Sequence, residues 1–96
     1  MKSIIKDYQL AAELLKTIAH PIRLRILLIL AQEPSLNVST LQHELKLDQS
    51  ALSHHLIKMR DRGILNSDRR NRDMYYYLAD PAFVQVIKLM LEREIK

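Results

Sequence analysis

Gln49-Ser50-Ala51-Leu52-Ser53-His54-His55-Leu56, running through Arg60-Asp61-Arg62-Gly63-Ile64-Leu65 into Arg69-Arg70-Asn71-Arg72 and Met74-Tyr75-Tyr76-Tyr77-Leu78, is the stretch that decides the fold. Its first part reads as a short helix, its second as a hairpin with an arginine-loaded turn. On a wheel of about 100° per residue, Leu52, Leu56 and Met59 gather on one side and must face a core. The opposite side presents Ser50, His54, Ile57 and Lys58, with Gln49 and Ser53 on the N-terminal flank. A readable helix beside a cationic ribbon suits a DNA major groove and the phosphates flanking it. An ordinary solvated helix face beside a basic turn is the plainer alternative, and the juxtaposition of the two features speaks against it.

Working outward, Leu47-Asp48 makes a tight connection from a preceding helix, Val38 to Lys46, which Asn37 can cap through its side-chain oxygen. Ser39-x-x-Gln42 offers an overlapping capping box. Asp48 caps the helix from Gln49 to about Arg62, and Gly63, the only glycine, stands where a helix end needs a left-handed residue. Two short helices joined by so brief a turn make a helix-turn-helix over residues 38–62. Strands at about Ile64–Arg69 and Met74–Leu78 form a two-stranded wing, residues 64–78, with Asn71 or Asp73 supplying any positive φ at its tip. Upstream, a first helix from about Ile4 to Ile18 carries Tyr8, Ala11, Leu14, Leu15 and Ile18 on one face. His20-Pro21 then opens a second, nearly all-apolar helix from Ile22 to about Ala31, whose exceptions are Arg23 and Arg25. Asp80-Pro81 starts a last helix to about Ile95. The expected architecture is one mainly α (α+β) domain over residues 1–96: a winged helix-turn-helix of five helices and a β-wing.

Composition bounds the function. Net charge is +4, and the fifteen residues from Lys58 to Arg72 hold six cations against two anions, a charge equal to that whole excess. Clustered positive charge is the electrostatic footprint of a nucleic-acid site. There is no cysteine, which removes disulfides, thiol redox sensing, thiolate metal sites and cysteine nucleophiles together. No apolar run approaches the roughly 20 residues of a membrane span, and the N-terminal residues do not resemble a signal peptide, so a cytoplasmic protein is expected. His54 and His55 point about 100° apart on one helix and cannot share a metal. No intrachain site with three convincing ligands emerges, nor a nucleophile turn, phosphate loop or acid/base pair. The expectation is a protein that is not an enzyme and uses no metal or other cofactor.

Gln49, Ser50, Ser53 and His54 are the expected base-contacting residues, because Gln, Ser and His offer donors and acceptors to base edges from the N-terminal half of the second helix. Lys58, Arg62, Arg69, Arg70 and Arg72 are expected on the DNA backbone. The last helix carries Phe83, Val84, Val86, Ile87, Met90, Leu91 and Ile95 over an arc of roughly 180°, wider than the ~100° that covers one core. So much apolar surface calls for a second subunit. Tyr8, Leu15, Phe83, Ile87, Met90 and Leu91, on the segments 1–19 and 81–96, are the expected dimer interface, and a two-fold dimer presents two reading helices to a pseudo-palindromic site in double-stranded DNA. A monomer with a broader core is the alternative.

These elements together resemble the ArsR/SmtB family of bacterial winged-helix repressors from about Leu10 onward. The resemblance rests on Ala19-His20-Pro21-Ile22-Arg23-Leu24-Arg25-Ile26-Leu27, Val38-Ser39-Thr40-Leu41, Ser50 through Leu56, Arg60 through Leu65 and Arg70 through Leu78, in that order and spacing. It implies a dimer built from the first and last helices and operator binding released by an inducer, here unknown. Metal-sensing relatives carry Cys-Val-Cys-Asp-Leu where this chain reads Asn37-Val38-Ser39-Thr40-Leu41. Others bind zinc between paired last helices with Asp, His, His and Glu; here the corresponding residues are Asp80, Ala82, Arg93 and Lys96. Asp80 reads better as a helix cap. A homodimeric repressor lacking its family's thiolate site is therefore expected. The alternatives are a metal- or small-molecule-responsive regulator with a non-cysteine site, or a winged helix used for protein–protein contacts.

Overall fold

The computed structural model describes residues 7–93. The elements are α1 (Tyr8–Ile18), α2 (Pro21–Gln32), β1 (Leu36–Asn37), α3 (Val38–Leu45), α4 (Gln49–Asp61), β2 (Leu65–Arg70), β3 (Asp73–Leu78) and α5 (Ala82–Leu91). The expected start of the first helix at Ile4 lies outside the described residues.

Each boundary has a local cause. His20 is extended and its Nδ1 accepts the Ile22 N–H at 3.1 Å, while Pro21 occupies the first turn of α2, where a missing N–H costs nothing. Asn37 Oδ1 accepts the Thr40 N–H at 2.9 Å and Asp48 Oδ1 the Ala51 N–H at 2.8 Å, so both helices of the helix-turn-helix are side-chain capped. Lys46 ends α3 in the left-handed region, φ 57°, a role the sequence reading did not assign to it. At the end of α4, Ile64 N–H returns to the Met59 carbonyl and Gly63 N–H to that of Arg60, both at 2.9 Å, with Gly63 at φ 78°. That is a Schellman closure, and its two apolar residues, Met59 and Ile64, are fully buried.

The sheet has three antiparallel strands in the order β1-β3-β2, one more than the expected two-stranded wing. β2 and β3 pair from Leu65↔Leu78 to Arg70↔Asp73, which leaves Asn71 and Arg72 as the loop. Asn71, not Asp73, carries the positive φ, 60°. The added strand pairs Leu36 with Tyr76 and Asn37 with Tyr75. It is brief because Asn37 serves twice: an N-cap needs extended backbone, so the residue that closes the strand opens the helix.

The core joins Ile26, Leu27 and Leu30 of α2, Leu41 and Leu45 of α3, and Leu52, Leu56 and Met59 of α4 to Ile18, Ile64, Leu65, Tyr76, Val84 and Ile87. One tyrosine ring of the second wing strand, Tyr76, packs inward. The last helix ends at Leu91, short of the expected Ile95; Glu92 and Arg93 have already left it, and Ile95 lies outside the described residues. Its start is held by Asp80, whose Oδ1 accepts the Ala82 N–H at 2.9 Å.

Candidate nucleic-acid interface

α4 is fixed from below by three fully buried side chains, Leu52, Leu56 and Met59. Burying each stabilises the helix by roughly 1.5–3 kcal/mol, so the core anchors one side of it and its other face is free to carry chemistry. On that face Gln49, Ser50, His54, Ile57 and Lys58 are exposed and Ser53 is half-buried. The wing tip comes back to this helix: Arg72 and Asp73 line one open groove of about 220 Å³ with Gln49 of α4 and with Val38, Ser39 and Gln42 of α3. Ser39 and Gln42 were not singled out from the sequence as site residues. The groove that would have marked them exists only once the wing folds back over α3.

The basic residues divide into two groups. Lys58, Arg69 and Arg72 are exposed, and among the described residues none of them takes part in an ion pair. Arg62 and Arg70 are engaged. Arg62 meets the Glu13 carboxylate of α1 at 2.8 Å, an exposed pair of the kind worth ~0.2–1 kcal/mol. Arg70 lies 3.2 Å from Asp68, with its guanidinium 4.5 Å from the centroid of the Tyr75 ring. Tyr75 thus packs on the wing, and Arg70 stiffens the hairpin it sits on.

Behind the polar face runs a network the sequence reading reached only in part. The sequence places His20 where the second helix opens and His55 beside His54 on the reading helix, without linking them. In the structure Arg23 Nε donates to His55 Nδ1 at 3.0 Å, Arg23 Nη1 donates to the Thr17 carbonyl at 2.9 Å, and the His20 and His55 rings meet edge-on at 4.6 Å. Burial first, then the Arg23 guanidinium, then His20 and His54, hold the His55 imidazole below the ordinary value of 6.5. Among the described residues no three His, Asp or Glu side chains are grouped to hold a metal, and no helix is long and apolar enough to cross a membrane.

Of the residues expected at a dimer interface, Tyr8, Leu15, Met90 and Leu91 are 72%, 51%, 59% and 63% exposed. Phe83 is half-buried and Ile87 is spent mostly on its own core. Ile87 also lines an apolar groove of about 280 Å³ between α1 and α5, with Leu15, Ile18, Ala19, Leu24, Val86, Met90 and Leu91.

A capped helix-turn-helix with a polar outer face and a basic β-wing defines a winged-helix DNA-binding protein. Residues 20–67 match the family described as bacterial regulatory protein, arsR family. Over 79 residues the chain is 44% identical to the transcriptional repressor PagR of Bacillus anthracis, spanning 82% of this chain and 79% of PagR. The crystal structure of PagR matches with a TM-score of 0.78 at 41% identity, over 90% of this chain and 98% of that one. HlyU from Vibrio cholerae, whose name is transcriptional activator, matches in structure with a TM-score of 0.80 at 35% identity, over 88% of this chain and 91% of that one. The chain belongs to the arsR family. It is a DNA-binding transcriptional regulator, in a family of regulators and not of enzymes.

Proposed function

We propose that the protein is a homodimeric repressor that binds an inverted-repeat operator, with Gln49, Ser50, Ser53 and His54 reading base edges. Lys58, Arg69 and Arg72 hold the phosphates, with Arg62 and Arg70 joining them at the cost of their present partners. The observation that carries this reading is the shared groove of Gln49 and Arg72, which makes the reading helix and the wing tip one continuous surface. A homodimer is supported by the exposed apolar residues of α1 and α5, which would otherwise face water. Repression is supported by the likeness to PagR, a named repressor. Working on DNA, the protein belongs in the cytoplasm.

Fluorescence anisotropy on a labelled duplex from the region upstream of the protein's own gene tests this, with a scrambled duplex beside it at two salt concentrations. A preference of ~10³-fold or more for the upstream duplex is expected. Failure to bind either duplex at low salt would overturn the reading in favour of a winged helix used for protein contacts.

A further inference from the structure

Arg23 joins the end of α1 to the middle of α4, a link separate from the Arg62–Glu13 pair at the far end of that helix. Its Nη1 donates to the Thr17 carbonyl, in the last turn of α1, where helix carbonyls lack intrahelical partners and a cation is favoured. Its Nε donates to His55 Nδ1, on the recognition helix one residue after His54. A guanidinium does this with a rigid planar fork, which a lysine ammonium does not have. The contact also fixes the state of the ring. An Nδ1 that accepts from Arg23 must be unprotonated, so a neutral His55 carries its proton on Nε2. A proton added at Nδ1 would replace the acceptor with a donor and set two cations face to face.

We propose that Arg23 is a positioning residue for DNA reading: a strut from the end of α1 to α4 that holds the Gln49–His54 face in its reading orientation, and that is released when His55 takes up a proton. The proposal rests on α4 being the reading helix. The groups around the ring are Arg23 on α2, His20 capping that helix, and His54 beside it on α4. From α1 comes the Glu13 carboxylate, paired with Arg62 two turns further along. These neighbours give different signs. A proton on His54 adds a cation on the exposed face and tightens binding to any sequence. A proton on His20 costs the cap of α2, since its Nδ1 also accepts a backbone N–H. Loss of the Arg23–His55 contact lowers discrimination between sequences through a hydrogen bond to the reading helix itself, and His55→Asn, which keeps His54 and His20, isolates it.

The test measures Kd for the upstream and scrambled duplexes from pH 8.0 to 5.5 at constant ionic strength, in wild type, Arg23→Gln and His55→Asn, with melting curves for each. In wild type the ratio of the two Kd values should fall about tenfold on acidification, within the usual range of coupling between sites. Arg23→Gln should show that loss already at pH 8.0 and little further change. His55→Asn puts a non-titrating oxygen near the place of Nδ1, so it should keep the wild-type ratio across the whole range. A wild-type ratio and pH profile in Arg23→Gln would overturn the proposal alone, as would an undiminished acid loss in His55→Asn. Wild type that binds neither duplex would take down the DNA reading and this proposal together. A readout that needs no DNA stands beside these: nitrogen-15 spectra of the His55 ring near pH 7.5 must show the Nε2–H tautomer, and an Nδ1–H tautomer would sink the strut. Should Arg23→Gln fail to fold, His55→Asn and the ring spectra decide.

Discussion

The arginines of the wing have different partners, and their substitutions should be told apart. Arg72 stands at the tip, in the groove with Gln49, whereas Arg70 is already held by Asp68 and the Tyr75 ring. Arg72→Ala should weaken binding to every duplex and lower the salt slope by about one. Arg70→Ala should lower that slope less and loosen the hairpin more; equal slopes for the two variants would contradict this division. His54→Ala should cost the specific duplex roughly 1–3 kcal/mol and the scrambled one little, as for a lost base contact. Similar losses on both duplexes would count against a base-reading His54. His55 adds a pH dependence of stability with a definite sign. Its folded value lies below the ordinary 6.5, so the unfolded chain takes the proton first. This contribution is complete above pH 6.5 and is lost as pH falls through the folded value, which denaturant melts of wild type and His55→Asn between pH 8 and 5 should separate. The exposed side of α4 was legible because helical spacing sorts residues into faces. The Arg23–His55 contact was not, since 32 positions separate the partners and no local pattern links them.

At the scale of the element, legibility followed the strength of local signals. Asn37, Asp48 and Gly63 sit at the ends they mark because each satisfies a specific orphaned backbone group, and Pro21 because it has no N–H to leave orphaned. β1 escaped because two residues carry no alternation, and its existence depends on Tyr75 and Tyr76 arriving from far along the chain. α3 and α5 end earlier than helical spacing suggests, at Leu45 and Leu91. Lys46 looks like a helix former, yet the turn into Asp48 needs a left-handed residue there. That conformation costs a side-chain-bearing residue roughly 1–2 kcal/mol, partly offset by the greater entropy glycine loses on folding. Lys46→Gly should therefore raise stability by about 0.5–1 kcal/mol in chemical denaturation, and a destabilised variant would mean the lysine side chain holds the turn.

The molecule as a whole keeps two surfaces apart. Its polar and basic face is built from α3, α4 and the wing; its apolar groove draws on α1, α2 and α5. Leu89, Met90 and Leu91 are 66%, 59% and 63% exposed on a helix whose inner side is already packed by Val84 and Ile87. If the protein pairs as proposed, Met90→Glu should leave the fold intact and shift sedimentation from dimer to monomer. A variant that stays dimeric would place the interface elsewhere. The excess apolar arc of the last helix was readable in the sequence. Which of its residues the core takes was not, because that depends on how α2 crosses α5.

The separation of these surfaces has a genetic consequence if the protein pairs as proposed. A copy crippled in Gln49 or His54 would keep its apolar face whole and so would still recruit intact partners. Each mixed pair would carry a single working reader, too weak to hold both halves of a site. Damage to α4 should then be dominant over a wild-type allele in the same cell, whereas damage to the groove at Met90 should be recessive.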